Sequence, residues 1–253
     1  MIMDHSFRAF IKQADEPFVG WDFSYITDSG RMRSEPLPWS YGSMAIRAIQ
    51  QASSMLDMGT GGGEFLESLR PFPPSVYATE SYLPNVTIAK ARLTPLGVKV
   101  VQIEEDNRLP FQTGQFDLIL NQHESFSAKE VRRILKNDGM FLTQQVGGLD
   151  CKGINEMLGV SINHEYADWS LKAALKELKT YNFEVIKACE DYPAQRFYDV
   201  GALVYYLKAI PWQVPNFDVE AFLPSLYKIH QKIEQKGYID FTQHRFMVLA
   251  KAK

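Results

Sequence analysis

Short apolar runs predict the β-strands of this chain. Each run is brief, rich in branched or aromatic residues and bounded by polar residues, glycine or proline, which is typical of buried strands. Five of them lie in the first 146 residues: SSMLDMG (53–59), SVYATES (75–81), VKVVQIE (98–104), FDLILNQ (116–122) and MFLTQQV (140–146). Two later runs, FEVIKACE (183–190) and HRFMVLAKAK (244–253), predict further strands.

Patterns of helical period separate these strands. The clearest is SAKEVRRILKNDG (127–139), where Ser127 and Glu130 predict a capping box and Gly139 predicts a left-handed stop. PNVTIAKARLTPLG (84–97) and SLKAALKELKTYNF (170–183) are the other two. Strand and helix alternating this often predict right-handed crossovers and a doubly wound α/β fold with a mainly parallel sheet of seven strands.

Residues 191–238 predict a helical insertion before the last strand. Helical patterns cover DVGALVYYLKAIPW (199–212) and DVEAFLPSLYKIHQKIEQKG (218–237), which we expect to lie over the edge of the sheet. Pro224 is expected to split or shorten the second helix, because proline removes a helical hydrogen bond. We expect one domain over 1–253, with an N-terminal lid or substrate segment at 1–50 and a cofactor-binding core at 51–150.

Composition excludes several classes of protein. Hydrophobic residues make up 45% of the 253, enough for one sizeable core, and the formal net charge of -3 gives no basic excess for a polyanion. Cys151 and Cys189 form no C-x-x-C pair, so neither a disulfide framework nor a metal site is predicted. The start of the chain lacks a signal-peptide core, and no apolar run could span a bilayer. We expect a soluble cytoplasmic protein.

The stretch LDMGTGGGEF (56–65) carries the strongest chemical signal. Four glycines in five positions let a ligand approach the backbone between the first strand and its helix. A dinucleotide site needs G-x-G-x-x-G, yet Glu64 holds the third glycine position after Gly59 and Gly61. With Asp57 in front of the turn, the negative charge favours a cationic ligand over a pyrophosphate.

This stretch resembles motif I of the class I S-adenosylmethionine-dependent methyltransferases, where an acid and a glycine-rich loop surround the aminoacyl end of the cofactor. Four more segments resemble the family in its order: YATES (77–81), EEDNRLPF (104–111), GQFDLILNQ (114–122) and RILKNDGMFLTQQ (133–145). The resemblance covers about residues 53–146. It implies a Rossmann-like methyltransferase fold, S-adenosyl-L-methionine as cofactor and S-adenosyl-L-homocysteine as product.

The resemblance also implies which residues bind the cofactor. Glu80, at the end of the second strand, would accept the ribose hydroxyls. By its spacing from Leu109, Glu105 would accept the adenine amino group, with Asp106 as the neighbouring alternative. Ser81 and Glu105 depart from the family, which has a bulkier apolar residue and an Asp at these positions. The full set is Asp57, Gly59, Thr60, Gly61, Glu80, Ser81, Glu105, Asp106, Leu109 and Asn121.

His123 and Glu124 follow the fourth strand, where the family brings its substrate to the methyl group. A neutral histidine there could act as the general base for a hydroxyl or a protonated amine. Equally, His123 could form a hydrogen bond to the cofactor or to a neighbouring loop. The sequence NQHE (121–124) is not the Asn/Asp-Pro-Pro-Tyr/Phe motif of enzymes that methylate exocyclic base amines.

Aromatic residues before the first strand are candidates for a substrate lid, since the family builds such covers from its N-terminal segment. The candidate substrate residues are Trp21, Tyr25, Trp39, Tyr41 and Glu124. Packing in the core or the lid is the alternative for each aromatic.

Three functional hypotheses follow. The favoured one is a methyltransferase acting on a small organic molecule. The second keeps the cofactor but takes RNA or protein as acceptor, using a basic patch of Arg31, Arg33, Lys90 and Arg92. The third is a cofactor-binding protein without catalysis, or an NAD-linked oxidoreductase. The oligomeric state is not predicted.

Overall fold

A computed structural model describes residues 4–253, which divide into two compact units. The large-sheet unit comprises Pro38–Val146, Trp169–Glu190 and Arg245–Lys253. The small-sheet unit comprises the described residues up to Leu37, together with Gly147–Asp168 and Asp191–His244. Each unit has its own hydrophobic cluster. None of the helices described is long and apolar enough to cross a bilayer.

Seven strands form the sheet of the large-sheet unit, which confirms the doubly wound α/β prediction. They are β2 (Ser54–Met58), β3 (Ser75–Glu80), β4 (Lys99–Gln102), β5 (Phe116–Gln122), β6 (Leu135–Val146), β7 (Phe183–Asp191) and β10 (Arg245–Ala252). Their order is β4-β3-β2-β5-β6-β10-β7. The four pairs from β4 to β6 are parallel, whereas β10 is antiparallel to β6. Parallel order brings the carboxyl ends of β2, β3, β5 and β6 to one edge, where such sheets bind ligands.

Helices follow the strands as the sequence predicts. Those of the large-sheet unit are α3 (Tyr41–Ile49), α4 (Glu64–Ser68), α5 (Leu83–Leu93), α6 (Ala128–Ile134) and α8 (Leu171–Thr180), with a 3₁₀ turn at Thr94–Leu96. Apolar side chains of α6 and α8 pack with those of β2, β5 and β6 in one cluster.

The end of α6 differs from the prediction. The helix stops at Ile134, and Leu135 is already extended and begins β6. The left-handed residue is Asp138 (φ 64°), so the prediction of a stop at Gly139 is wrong. Glycine is needed at 139 for close approach, because a Cβ there would lie 2.9 Å from the Lys136 carbonyl oxygen.

The capping box at α6 is only half formed. The Ser127 hydroxyl accepts the Glu130 N–H at 3.4 Å, as predicted. The Glu130 carboxylate does not return to Ser127, because it accepts the Leu109 N–H at 2.7 Å and pairs with Arg133 at 2.6 Å. The helix start therefore anchors the loop before β5 instead of closing on itself.

The small-sheet unit has helices and a sheet of its own. Its helices are α1 (His5–Gln13), α2 (Ser24–Thr27), α7 (Lys152–Leu158), α9 (Val200–Ala209) and α10 (Val219–Lys236). Its antiparallel strands are β1 (Met32–Ser34), β8 (Ala194–Phe197) and β9 (Ile239–Thr242), in the order β1-β8-β9. This sheet was not predicted. Pro224 lies within an uninterrupted α10, so the predicted break is wrong. The buried Leu226, Ile229 and Ile233 of this helix pack in the core of the unit.

Candidate functional site

The glycine turn between β2 and α4 is the centre of the candidate site. Gly59 (φ 66°) and Gly61 (φ 60°) are left-handed, a conformation that is costly for any residue with a Cβ. Gly63 caps α4, and Glu64 is its first residue, as expected. Gly59 and Gly61 therefore leave the turn at the carboxyl end of β2 without side chains of its own at these two positions.

Glu80 ties the turn to the end of β3. One of its carboxylate oxygens accepts the Gly61 N–H at 2.8 Å, and the other accepts the N–H groups of Ser81 and Tyr82 at 2.9 and 2.8 Å. Glu80 itself is buried. An ionised carboxylate has about four acceptor positions, so one position is left for a ligand hydroxyl.

Asp57 lies buried in β2 just before the turn. Burial raises the pKa of Asp57 to about 7, and the neighbouring Glu80 charge adds to this rise, while the Thr60 hydroxyl opposes it. A buried carboxyl without a cationic partner is unfavourable in its charged form. A positively charged ligand would stabilise the charged form of Asp57.

Glu124 covers the turn from the loop after β5. A Cβ on Gly59 would lie 2.6 Å from the Cβ of Glu124, so this side chain packs directly on the glycine backbone. Burial and the charges of Asp106 and Glu80 raise the pKa of Glu124 to about 7. Asp57, Glu80 and Glu124 therefore lie at the turn, and Asp106 is near enough to Glu124 to raise its pKa.

The two acids proposed for adenine differ in their surroundings. Asp106 is half-buried and accepts a hydrogen bond from the Ser125 hydroxyl, and burial raises its pKa. Glu105 is exposed to solvent. Leu109 is buried, and its N–H and carbonyl are held by Glu130 and Arg133, which fixes the segment that follows the two acids.

Asn121 is buried at the end of β5, and its side chain forms hydrogen bonds to other residues of the protein. Its Oδ1 accepts hydrogen bonds from Thr143 at 2.9 Å and from the Gln145 amide at 2.7 Å. The same Gln145 amide donates to the Glu124 carbonyl at 2.9 Å, and Trp169 donates to the other end of Gln145. Asn121 therefore helps, through Gln145, to hold the loop that carries Glu124 in place.

His123 is held in the same loop in a left-handed conformation (φ 64°). Its N–H donates to the Gln144 carbonyl at 2.8 Å, and its Nε2 lies 3.1 Å from Nε2 of the Gln144 side chain. The residue as a whole is exposed. The surrounding protein and the positive charge of Arg245 lower its pKa, so His123 is neutral near pH 7.

The candidate substrate aromatics lie in different units. Trp39 and Tyr41 are buried in the large-sheet unit, where the Trp39 indole donates to Gln144 at 2.8 Å and Tyr41 donates to the Leu142 carbonyl at 3.3 Å. Trp21 and Tyr25 belong to the small-sheet unit. Trp21 is exposed and stacks on Trp212, with ring centroids 5.7 Å apart. The half-buried Tyr25 donates its hydroxyl to the Gln13 carbonyl at 2.9 Å.

Sequence reasoning missed two neighbouring residues at the site, Gln144 and Gln145. Both end β6, both are buried, and both bond to the loop at 121–125. The available signal was a pair of amides in TQQV, an otherwise apolar strand, because a buried amide needs hydrogen-bond partners.

Residues 56–143 match the family model described as "Methyltransferase domain". These residues include the glycine turn, Glu80, Asp106 and the 121–125 loop. Over this segment, which holds the candidate site, the chain is similar to methyltransferase domains. A search of curated proteins found no match.

Solved structures resemble the chain beyond this segment. A protein from Bacillus halodurans C-125 proposed to be a methyltransferase is 18% identical, with a TM-score of 0.58 over 83% of this chain and 98% of its own. A protein from Galdieria sulphuraria proposed to be a sarcosine dimethylglycine methyltransferase is 15% identical, with a TM-score of 0.53 over 98% of both chains. A third structure is geranyl diphosphate C-methyltransferase from Streptomyces coelicolor A3(2), in complex with Mg²⁺, geranyl diphosphate and S-adenosyl-L-homocysteine. It is 15% identical, with a TM-score of 0.53 over 84% of this chain and 76% of its own. At these identities the likeness concerns the fold.

Proposed function

We propose that this protein is a class I methyltransferase, which binds S-adenosyl-L-methionine at the glycine turn and transfers its methyl group to a small organic acceptor. The observation that carries the proposal is the cluster of Asp57, Glu80 and Glu124 at the glycine turn, with Asp106 close to Glu124. Burial raises the pKa values of both Asp57 and Glu124 to about 7. A ligand with an ammonium and a sulfonium group would favour their ionised forms, whereas a pyrophosphate would be repelled.

Different residues of the site fit different parts of the cofactor. Asp57 and the backbone of the turn would hold its aminoacyl end. Glu80 has one acceptor position left for a ribose hydroxyl. For the adenine amino group we favour Asp106 over the exposed Glu105, because a half-buried carboxylate loses less of its hydrogen-bond strength to water. Leu109 and Asn121 would position the flanking segments.

S-adenosyl-L-methionine supplies a methyl group already activated by positive sulfur, so the protein mainly has to align the reactants and exclude water. The loop at 121–125, held by Gln144 and Gln145, is suited to fix the position of an acceptor. Trp39 and Tyr41 would support this loop and the strand ends from within the large-sheet unit. Trp21 and Tyr25 remain candidates for contact with the acceptor.

A small acceptor is favoured over a nucleic acid. Two members of the proposed basic patch are already paired with acids: Arg31 with Asp199 at 2.7 Å, and Arg92 with Glu64. Paired arginines contribute little to a phosphate-binding surface. RNA or protein as acceptor stays the second hypothesis.

Calorimetry separates the cofactor hypotheses. We expect S-adenosyl-L-homocysteine to bind and NAD to give no heat. Incubation of the protein with methyl-labelled cofactor and a panel of small metabolites, a bulk RNA and a protein mixture then identifies the acceptor class. Binding of NAD without binding of S-adenosyl-L-homocysteine would overturn the proposal.

A further inference from the structure

Trp39, Gln144 and His123 form a linear hydrogen-bonded relay. The Trp39 indole nitrogen lies 2.8 Å from Oε1 of Gln144, and Nε2 of Gln144 lies 3.1 Å from Nε2 of His123. Trp39 and Gln144 are both buried, so no bulk water competes for these bonds. The proposed function does not by itself explain why a buried indole and a buried amide converge on the ring of His123.

The direction of each bond in the relay follows from the first donor. An indole N–H can only donate, so the Gln144 atom that faces Trp39 must be the carbonyl oxygen. The opposite end of the amide is then the NH₂ group, which can only donate to His123. Nε2 of His123 must therefore be the acceptor and carry no proton.

We infer that Trp39 and Gln144 hold His123 as a neutral imidazole with its proton on Nδ1, which makes His123 a hydrogen-bond donor to the acceptor and not its general base. The acceptor part of this inference rests on the proposed function. A protonated Nε2 would place an N–H against the NH₂ of Gln144, which is repulsive. The pKa of His123 is lowered, first by desolvation of the ring and then by the charge of Arg245, which agrees with this arrangement.

Nδ1 is the ring nitrogen of His123 that the relay leaves without a partner. Within residues 4–253 no group accepts a hydrogen bond from this nitrogen, and the residue is exposed. Its N–H is therefore available to a ligand. The loop is fixed independently of the relay, because the His123 N–H is bonded to the Gln144 carbonyl and the Glu124 carbonyl to Gln145.

The acceptor class follows from this assignment. With Nε2 occupied, His123 does not take a proton from the acceptor, so the site suits a nucleophilic atom that arrives without one. A carboxylate oxygen meets this condition, accepts the Nδ1 N–H, and is favoured by the nearby charge of Arg245. The oxygen–carbon bond forms as the carbon–sulfur bond breaks, the electron pair stays on sulfur, and no proton is released.

Nuclear magnetic resonance of the protein with ¹⁵N-labelled histidine tests the tautomer directly. Two-bond and three-bond couplings distinguish a protonated from an unprotonated ring nitrogen, and the His123→Gln variant assigns the signal. We expect a protonated Nδ1, an unprotonated Nε2 and no titration of the ring near pH 6.5. A proton on Nε2, or an ordinary titration, would overturn the inference. No cofactor is needed, so this result is independent of whether the proposed function holds.

Gln144→Glu is the matched variant that reverses the relay. One carboxylate oxygen can still accept the Trp39 N–H, while the other becomes an acceptor facing His123. We expect the proton to move to Nε2 and the His123 pKa to rise by about 1–3 units. An unchanged tautomer in a folded Gln144→Glu protein would show that Gln144 does not set it. If this variant fails to fold, the wild-type spectrum alone decides.

Turnover distinguishes a donor from a base once an acceptor is known. Asn at 123 can place an N–H near the position of Nδ1, whereas Gln places it near Nε2. We expect His123→Asn to keep activity within about tenfold of wild type and His123→Gln to lose more, with kcat largely independent of pH between 6 and 8. Equal, severe losses in both variants together with a kcat that rises with pH would support a general base instead.

Discussion

The side chain of Glu124 lies directly on the backbone of Gly59, so closely that a Cβ on Gly59 would be 2.6 Å from Glu124 Cβ. The contact joins the turn after β2 to the loop after β5. Both segments belong to the large-sheet unit, and both would meet the cofactor in the proposed function. A change at Gly59 should therefore disturb binding as well as stability.

Gly59→Ala should abolish measurable binding of S-adenosyl-L-homocysteine and destabilise the fold by about 1–2 kcal/mol from the left-handed φ alone. Gly97→Ala is the matched control, because Gly97 is also left-handed (φ 84°) but a Cβ there would meet nothing within 4 Å. Denaturant unfolding and calorimetry on both variants check this. Similar affinities in the two variants would contradict the role of the turn.

Cofactor affinity should increase with pH across neutrality. The carboxyl groups of Asp57 and Glu124, with pKa values raised to about 7, must ionise before they favour a cationic ligand. We expect the Kd for S-adenosyl-L-methionine to fall about tenfold from pH 6 to pH 8 for each group that contributes. Glu124→Gln should flatten the profile measured by calorimetry. A Kd independent of pH in the wild type would exclude both acids.

Asp57→Asn should stabilise the unliganded protein at pH 8. The folded-state pKa of about 7 lies above the unfolded value of about 3.9, so the folded state binds more protons between these limits. The contribution of this carboxyl to the free energy of unfolding is therefore fully present below about pH 4 and is lost as pH rises through about 7. The variant should gain on the order of 1–4 kcal/mol at pH 8 and almost nothing at pH 4.

Asp117→Asn should change the free energy of unfolding in the opposite direction in the same denaturation experiment. Although burial acts against it, hydrogen bonds from Lys136 and Ser54 lower the pKa of Asp117. Its stabilising effect is present above the unfolded pKa and is lost as pH falls through the folded pKa. Asp117→Asn should therefore be destabilising at pH 8 and less so at acid pH. The same pH trend in both variants would contradict the assignment of Asp57.

The fold was predictable because strand runs and helical periods are local. Every predicted strand of the large sheet is present, since the buried strand patterns extend over several residues each. The small sheet of β1, β8 and β9 was missed because its strands have only three or four residues, and β1 pairs with β8 over more than 150 positions. Pro224 was misjudged because the buried apolar face of α10 compensates for one missing hydrogen bond.

The candidate site was predictable only where chemistry coincides with a motif. Asp57, Gly59 and Glu80 were named from short stretches, and the structure brings them together at the sheet edge. The partners of His123 were not named, because Trp39 and Gln144 are 84 and 21 positions away from it in sequence. Such contacts depend on strand register, which residue types alone do not encode.

Asp106→Asn should weaken the binding of S-adenosyl-L-homocysteine by about tenfold or more, while Glu105→Gln should leave it unchanged. A hydrogen bond to a charged group contributes about 1.5–3 kcal/mol, and only Asp106 is half-buried and fixed by Ser125. S-inosyl-L-homocysteine, which has oxygen in place of the adenine amino group, isolates the interaction. Wild type should prefer the adenine ligand, and Asp106→Asn should lose that preference. Loss of the preference in Glu105→Gln instead would return the adenine contact to Glu105.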